Sequence, residues 1–546
     1  MPTTASLQRK PFWLDGRAVA WVQATFSGLT LEAKLAQLMI VSGLEMCPEN
    51  LDRLAALDIG GYFRRAPGPV QSLRAVAERM QRRCAVPLLL CGDLELGVEG
   101  PIGGREGTAF PNQMAIAATG DPKWAAAMAR VVAREGRTAG FNWSFSPVAD
   151  LNVNFRSPVV STRAFGDNPV TVARMVAAYI RALQAEGVAA GTKHWPGDGC
   201  DDRDQHFVTT INSLGLAAWD ASYGRVFRSA IRAGVLSIMS AHIALPGLRG
   251  AGSTPASISR RLNLELLRGR LKFNGLILSD ASTMAGLTSH GRRAALVPQL
   301  IENGCDMILF PADVELELGH LREALAKGVL SARRVDEAVW RVLALKAALG
   351  LHRSTAVSRP ISRRIKKTHE HLAARCAEQA VTLVKDGNKL LPLSPLRHRR
   401  VLLVQQAPRL VSMASGQAAS LQLDRLLAAA GFQVEHFDLQ TEVHRDFYDV
   451  LIYVVAEEGY VGRGALELRW PELHGSWARS TERYWHDLPA IFISFGSPFH
   501  LREVPMCPTF INAYSPVPAM QEAVVRALTG EIPFRGRSPV RLPVGP

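Results

Sequence analysis

The chain has 546 residues, of which 47% are hydrophobic and 21% are charged, values typical of a folded, water-soluble protein. A chain of this length exceeds what one ordinary core accommodates, so we expect two domains. Lysine and arginine total 63 against 49 aspartate and glutamate. Because this excess is dispersed and its densest cluster lies in an apparent linker, we do not expect a nucleic-acid-binding protein.

Short β-rich runs alternate with amphipathic helical patterns over residues 1–350. The pattern predicts eight strands, at Leu38–Val41, Gly60–Arg64, Pro87–Asp93, Trp143–Asp150, Ala189–His194, Leu236–His242, Gly275–Asp280 and Asp306–Phe310. The clearest helices between them are predicted at Lys123–Thr138, Pro169–Gln184 and Leu216–Ala233. Eight strands separated by helices are typical of an α/β protein with a parallel (β/α)8 TIM barrel. An open doubly wound sheet would also alternate, but it would not need eight converging strands.

Residues 351–385 are predicted to form a linker followed by a helix at His369–Leu383. A second alternating unit occupies residues 386–546, with strands predicted at Arg400–Gln405, Phe432–Phe437, Asp449–Ala456, Ala490–Gly496 and Phe510–Tyr514. Five strands with helices between them suit a small doubly wound α/β sandwich domain. Its first strand is not followed by GxGxxG, so nucleotide binding is not expected.

Cysteine spacing and the apolar segments bear on cofactors and location. Seven scattered cysteines without a CxxC pair favour reduced thiols over a disulfide framework or a zinc site. The N-terminal stretch lacks an apolar segment of signal-peptide length, and no apolar run reaches about eighteen residues. We therefore predict a cytoplasmic protein without membrane contact. No cofactor and no metal are expected.

The stretch KHWPGDG, residues 193–199, followed by Asp204 and His206, carries the strongest chemical signal. It places a cation, two histidines and several carboxylates where a predicted strand opens into a loop broken by proline and glycine. Strand ends at the mouth of a parallel barrel are where such folds keep their chemistry. A solvated polar loop remains the alternative, because residues two apart share a face only in an extended segment.

Asp280 ends the run GLILSD and would face the same mouth. A carboxylate in this position can attack an anomeric carbon, while a second group protonates the leaving oxygen. The alternative is an aspartate that caps the following helix.

The loop with its Asp-x-His element is similar to the KH(F/W)PG-x-G-x(4)-D-x-H signature of family 3 glycoside hydrolases, in the β-N-acetylhexosaminidase branch. The segments TLEAKLAQLMIVSG, LILSD and AEQAVTLVKDGNKLLPL extend this resemblance to the two-domain form. The resemblance implies that Asp280 is the nucleophile, that His206 is the general acid/base and that Asp204 is its partner. It also implies that sugar is bound by Asp93, Arg105, Arg163, Lys193 and His194. Before Arg105 the chain departs from the family spacing.

The resemblance predicts a retaining enzyme that removes terminal β-linked N-acetylhexosamine through a covalent intermediate. A β-glucosidase, a β-xylosidase or a glycoside phosphorylase of the same fold remains open, as do a metal-dependent hydrolase and an inactive sugar-binding protein. The expected partner is a carbohydrate, and the sequence leaves the oligomeric state open. Three second-domain glutamates are expected to be surface or substrate-rim residues: Glu457, Glu458 and Glu467.

Overall fold

A computed structural model describes residues 4–43, 47–64, 67–95, 97–98, 102, 106–406, 420–459, 461–462 and 466–542. Within these ranges the chain forms a closed barrel, a six-stranded sheet and a small two-stranded ribbon. None of the helices in the described ranges combines the length and the apolar character that a membrane crossing requires.

The barrel closes from eight parallel strands, in the order β1-β10-β9-β7-β5-β4-β3-β2. Their bounds are β1 Met39–Gly43, β2 Gly61–Arg64, β3 Leu89–Gly92, β4 Trp143–Ser144, β5 Ala189–Trp195, β7 Ser237–Ser240, β9 Leu276–Ala281 and β10 Met307–Leu309. The short strands β6 Thr210–Ile211 and β8 Ile243–Ala244 form the ribbon. All eight predicted barrel strands are present, and the predicted TIM barrel is confirmed.

Helices surround the barrel and bury their apolar sides against it. The longer ones are Gly16–Gly28, Pro48–Ala56, Val70–Arg83, Pro122–Thr138, Pro169–Ala185, Tyr223–Ala233, Arg293–Glu302, Val314–Ala326 and Ala332–Ala348. The helix predicted at Leu216–Ala233 is two helices, Leu216–Ala221 and Tyr223–Ala233. The break falls at Ser222, whose hydroxyl donates to the carbonyl of Ala218 at 2.6 Å and thereby competes with the helical hydrogen-bond pattern.

The second sheet has six strands, in the order β11-β16-β15-β14-β12-β13. They are β11 Thr382–Asp386, β12 Arg400–Gln406, β13 Gln433–His436, β14 Val450–Val455, β15 Ala490–Ser494 and β16 Thr509–Asn512. Five are the predicted parallel strands, and β11 joins β16 in antiparallel orientation. Helices Arg363–Ala380, Leu423–Ala429 and Pro518–Leu528 accompany the sheet.

The helix predicted at His369–Leu383 in fact spans Arg363–Ala380 and is followed at once by β11. The prediction was wrong at this end because the helical pattern was continued through Val381 and Thr382, whose branched side chains favour strands. Since β11 pairs with the second sheet, we propose that the second domain begins near Thr382, inside the stretch 351–385.

The central strands of the second sheet are buried on both faces, and their residues alternate between two cores. Val401 and Leu403 of β12 pack in one core, while Leu402 and Val404 pack in the other. This is the period of two that a strand imposes. Three residues of a helix beside the barrel, Gln113–Ala118, complete the first core: Met114, Ala115 and Ala118. The second domain therefore packs directly against the barrel.

Candidate active site at the carboxyl end of the barrel

The candidate site lies where β3, β5 and β9 reach the carboxyl end of the barrel. Asp93 follows β3, Lys193 and His194 are in β5, and Asp280 is in β9. The loop that follows β5 carries Asp204 and His206. Parallel strands in a closed barrel bring their carboxyl ends to one mouth, so these residues, far apart in sequence, share one cleft.

Asp280 is buried, with 8% of its surface exposed. Its Oδ1 accepts a hydrogen bond from the backbone N–H of Ala281 at 2.8 Å. Burial tends to raise the pKa of this carboxyl, but electrostatic interactions with His194, His242 and His206, together with the hydrogen bond from Ala281, outweigh burial and leave the pKa below its ordinary value. The carboxylate is therefore ionised at neutral pH and lies within electrostatic reach of the predicted acid/base.

His206 and Asp204 form a hydrogen-bonded pair. The Nδ1 of His206 lies 2.6 Å from Asp204 Oδ1, which also accepts the backbone N–H of His206 at 2.9 Å. Burial tends to raise the pKa of Asp204, but hydrogen bonds from His206 and the backbone N–H of Gly462 contribute to a net lowering. An ionised Asp204 favours a proton on Nδ1, so that Nε2 is the ring nitrogen left outside this hydrogen bond. The pairing predicted from sequence is present, with the His206 side chain 27% exposed.

Four charged groups form a second network at the carboxyl end of the barrel. The Nζ of Lys193 lies 2.6 Å from Asp93 Oδ1 and 3.7 Å from Glu95 Oε2. Arg163 donates from Nε to Glu95 Oε1 at 2.9 Å. Burial tends to raise the pKa of Glu95, but Arg163 and Lys193 lower it to about 2. The Asp93 side chain remains 35% exposed, so it is the member of this network most open to a ligand.

The prediction missed Glu95, although its spacing two residues after Asp93 was visible in the sequence. It also missed Gly462, which no local pattern could have revealed because it lies in the second domain. Arg105, the remaining predicted sugar-binding residue, lies outside the described residues.

His194 is oriented by Asp150. Its Nδ1 lies 2.6 Å from Asp150 Oδ2, and Asp150 Oδ1 accepts the backbone N–H groups of His194 and Asp198 at 3.2 and 2.7 Å. Asp150 therefore fixes both the ring and the loop behind it. Burial, and then the charge of Asp150, raises the pKa of Asp198 to about 8. Asp198 is thus a buried carboxyl that is largely protonated at neutral pH.

Glycine is required where the signature loop approaches its neighbours. Gly199 has a φ of +99°, and a Cβ there would lie 2.1 Å from the carbonyl oxygen of Leu151. Only a residue without a side chain fits this conformation and this contact.

Three further residues in or near this part of the barrel are held in structural surroundings. Trp195 is fully buried, and its ring packs edge-on against Trp219 at 5.6 Å and Phe227 at 5.0 Å, so it does not offer a face to sugar. Burial raises the pKa of the Cys200 thiol, which keeps it protonated. His242 is fully buried.

The three second-domain glutamates lie in different environments. Glu467 is exposed. The expectation of a surface or rim position was wrong for Glu457, which is buried and forms an ion pair with Arg469 at 2.8 Å. Glu458 Oε1 accepts a hydrogen bond from Asn112 Nδ2 at 2.7 Å.

Comparison with known proteins places this geometry in a family. The profile described as "Glycosyl hydrolase family 3 N terminal domain" matches residues 30–345. A "Beta-N-acetylglucosaminidase/beta-glucosidase" of Cellulomonas fimi is 36% identical over 556 residues, covering 98% of this chain and 98% of the relative.

Two solved structures share the two-domain fold at appreciable identity. One, "Beta-glucoside phosphorylase BglX bound to 2FGlc", has a TM-score of 0.90 and 34% identity, covering 98% of this chain and 99% of that chain. The other, a glycoside hydrolase family 3 β-N-acetylglucosaminidase from Paenibacillus sp. str. FPU-7, has a TM-score of 0.82 and 26% identity, covering 95% of this chain and 100% of that chain. With a barrel profile that spans most of the first domain and a relative that matches over the whole length, the chain belongs to glycosyl hydrolase family 3.

Proposed function

We propose that this glycoside hydrolase cleaves terminal β-linked N-acetylglucosaminides with retention of configuration. Asp280 attacks the anomeric carbon and forms a covalent glycosyl–enzyme intermediate. His206 donates the proton on Nε2 to the departing oxygen, and Asp204 orients and stabilises the imidazolium from the Nδ1 side. The neutral imidazole then accepts a proton from the water that releases the sugar.

One observation carries this proposal: the Asp204–His206 pair and the buried, ionised Asp280 lie in the same barrel mouth, close enough for His206 to lower the pKa of Asp280. Cleavage with retention requires a nucleophile that attacks the anomeric carbon and a proton donor that protonates the oxygen of the same glycosidic bond. The hydrogen bond at Nδ1 leaves Nε2 of His206 for proton transfer, which is the role that the proposal assigns to it.

The charged network of Asp93, Glu95, Arg163 and Lys193 supports recognition of a sugar ring. Asp93 has a partly exposed carboxylate that forms an ion pair with the ammonium group of Lys193, and carboxylates of this kind accept paired hydrogen bonds from vicinal hydroxyls. Arg163 and Glu95 hold each other beside it. We assign Asp93, Lys193, His194 and Arg163 to the glycone site. The name of the relative from Cellulomonas fimi includes both β-N-acetylglucosaminidase and β-glucosidase activity, so N-acetylglucosamine and glucose are the two glycones to compare.

A phosphorylase is the second candidate, in which phosphate replaces water as the acceptor. A neutral imidazole does not repel an incoming phosphate as a carboxylate would. The structure named a β-glucoside phosphorylase matches this chain over nearly its whole length. Phosphorolysis would use the same three residues and yield a sugar phosphate in place of the free sugar.

The proposal is tested with nitrophenyl β-N-acetylglucosaminide and nitrophenyl β-glucoside, each with and without inorganic phosphate. The released sugar is identified by NMR, which also reports the anomer formed first. Free β-N-acetylglucosamine as the first product supports the hydrolase. A sugar 1-phosphate that appears only with phosphate would favour the phosphorylase, and an α-anomer formed first from water would contradict retention.

A further inference from the structure

The loop that leaves β14 crosses from the second sheet to the barrel. We call the described residues of 456–469 the bridging loop. Three of its residues form hydrogen bonds with barrel residues: Glu458 Oε1 with Asn112 Nδ2 at 2.7 Å, Gly459 N with Thr162 Oγ1 at 3.2 Å, and Gly462 N with Asp204 Oδ2 at 2.9 Å. The last of these contacts reaches the acid–base pair itself.

The contact from Gly462 completes the hydrogen bonding of the Asp204 carboxylate. Oδ1 faces the ring and the backbone N–H of His206, and Oδ2 accepts the N–H of Gly462. Donors on both oxygens fix the rotation of the carboxylate, and they favour its ionised form. Because Asp204 orients the imidazole, a shift of Gly462 moves the proton donor away from the glycosidic oxygen.

An ion pair clamps the two stems of the bridging loop together. Glu457 on the outgoing stem accepts from Arg469 Nη2 on the returning stem at 2.8 Å, and both side chains are largely buried. Gln406 at the end of β12 bonds to both stems, donating from Nε2 to Glu457 Oε1 at 3.3 Å and accepting the backbone N–H of Arg469 at 2.9 Å. The clamp thus sets where Gly462 is held.

We infer that the second domain positions the acid–base pair of the barrel: the Glu457–Arg469 clamp holds the bridging loop so that the Gly462 N–H fixes Asp204, and through it His206. Glu457 and Arg469 are therefore positioning residues. The inference rests on the proposed function and assigns the second domain a part in proton transfer, beyond packing against the barrel.

The test uses two substrates that differ in their need for an acid. The dinitrophenolate of a dinitrophenyl glycoside leaves without protonation, whereas the oxygen of an alkyl glycoside must be protonated as it leaves. In the double variant Glu457→Gln/Arg469→Gln, which removes both charges together, kcat/KM for the alkyl glycoside should fall at least about tenfold and that for the dinitrophenyl glycoside less than about twofold. A loss of fold alone would lower both equally.

Two comparison variants make the result interpretable. Glu378→Gln/Arg526→Gln removes another Arg–Glu pair, which joins the helix Arg363–Ala380 to the second domain, and should change the turnover of neither substrate. Gly462→Ala acts on the loop while leaving the clamp intact. The added Cβ would have room, since the nearest atom, on the Phe207 ring, would lie 3.9 Å from it, but the φ of +78° disfavours a side chain. This variant should give the same selective loss, and it decides the matter if the double variant does not fold.

Equal losses on both substrates, or no loss, in folded clamp and Gly462 variants would overturn the inference. His206→Ala, measured on the same substrates, separates this failure from failure of the proposed function. If His206→Ala is selective for the alkyl glycoside and the loop variants are not, only the inference fails. If His206→Ala is not selective, the acid–base assignment itself is wrong.

Discussion

Two buried carboxylates lie at opposite ends of neighbouring barrel strands. Asp306 immediately precedes β10 at the amino end, and Asp280 lies in β9 at the carboxyl end. Both have a pKa below the ordinary value despite burial, Asp306 because of Arg268, Arg334 and Arg341 and Asp280 because of nearby histidines. Burial and a lowered pKa therefore do not distinguish a structural carboxylate from a reactive one.

The number of hydrogen bonds to each carboxylate does distinguish them. Asp306 Oδ1 lies 2.5 Å from Arg334 Nη2 and 3.5 Å from Arg341 Nη1, while Oδ2 accepts from Arg268 Nη2 at 2.5 Å and from the N–H of Ile277 at 2.9 Å. Both oxygens are occupied, so Asp306 ties strands and helices together at the base of the barrel.

Asp280 accepts fewer hydrogen bonds than Asp306. Within the described part of the chain its one hydrogen bond comes from the N–H of Ala281 to Oδ1, and no hydrogen bond reaches Oδ2 there. A free oxygen at the barrel mouth is what a nucleophile needs. The comparison supports the proposal that Asp280 is the reactive carboxylate, because the protein leaves part of its hydrogen-bonding capacity unused.

The largest expected effect is on Asp280. Replacing it by asparagine removes the nucleophile with little change in shape, so kcat should fall on the order of 10⁴-fold or more. The thermal midpoint should stay close to that of the parent protein, because few bonds are lost. Steady-state kinetics and differential scanning calorimetry check both. Substantial residual turnover would contradict the role of Asp280.

His206 and His242 also differ in how many of their ring nitrogens are hydrogen-bonded. Both nitrogens of His242 are engaged, Nδ1 with Ser257 Oγ at 2.8 Å and Nε2 with the carbonyl of Ala281 at 3.0 Å. We expect His206→Gln to lower kcat/KM for an alkyl glycoside by about 10²–10⁴-fold, and His242→Gln to have a much smaller effect. Comparable losses in the two variants would break the distinction.

Asp306→Asn should affect stability instead of chemistry. It leaves three buried guanidinium groups without their carboxylate, so we expect the free energy of unfolding to fall by about 3–5 kcal/mol, with kcat per folded molecule unchanged. Denaturant titration measures the difference.

The stability difference between the parent protein and Asp306→Asn should also depend on pH. Since the folded pKa of Asp306 is depressed, its contribution is present above the unfolded carboxyl pKa of about 3.9 and is lost as pH falls through the folded pKa. The difference should therefore shrink below about pH 4. A pH-independent difference would contradict the charge-based explanation.

Asp198 gives the smallest effect, with the opposite sign. Its folded pKa, about 8, lies above the unfolded carboxyl pKa of about 3.9. Its contribution to stability is therefore most favourable below the unfolded pKa and is lost as the pH rises from there through the folded pKa. Asp198→Asn should therefore be more stable than the parent protein at pH 9, by roughly 1–3 kcal/mol, and similar to it below about pH 4. Asp201→Asn is the matched control, because the pKa of Asp201 is lowered and the variant should lose stability near neutral pH.

The fold could largely be predicted because strand and helix periodicities are local. All eight barrel strands and five of the six strands of the second sheet follow from alternation of apolar runs. The strand β11 could not be predicted in this way, because it follows a helix almost directly and is fixed by its antiparallel partner β16.

The candidate site could be predicted where its residues are close in sequence. Asp204 and His206 are two residues apart, and the signature loop identifies their neighbours. The bond from Gly462 to Asp204 joins residues 258 positions apart, so no local pattern contains it. Likewise, the difference between Asp280 and Asp306 depends on contacts from distant helices, and it becomes visible only in the folded chain.

The most direct test of the central claim is to trap the intermediate. The intact enzyme is incubated with activated β-glucoside and β-N-acetylglucosaminide inhibitors that carry fluorine on the ring, which slows breakdown of the glycosyl–enzyme, and is then digested for mass spectrometry. We predict a sugar adduct on the peptide that contains Asp280, and none in Asp280→Asn. Turnover without an adduct, or an adduct on another residue, would contradict the assignment of Asp280 as the nucleophile.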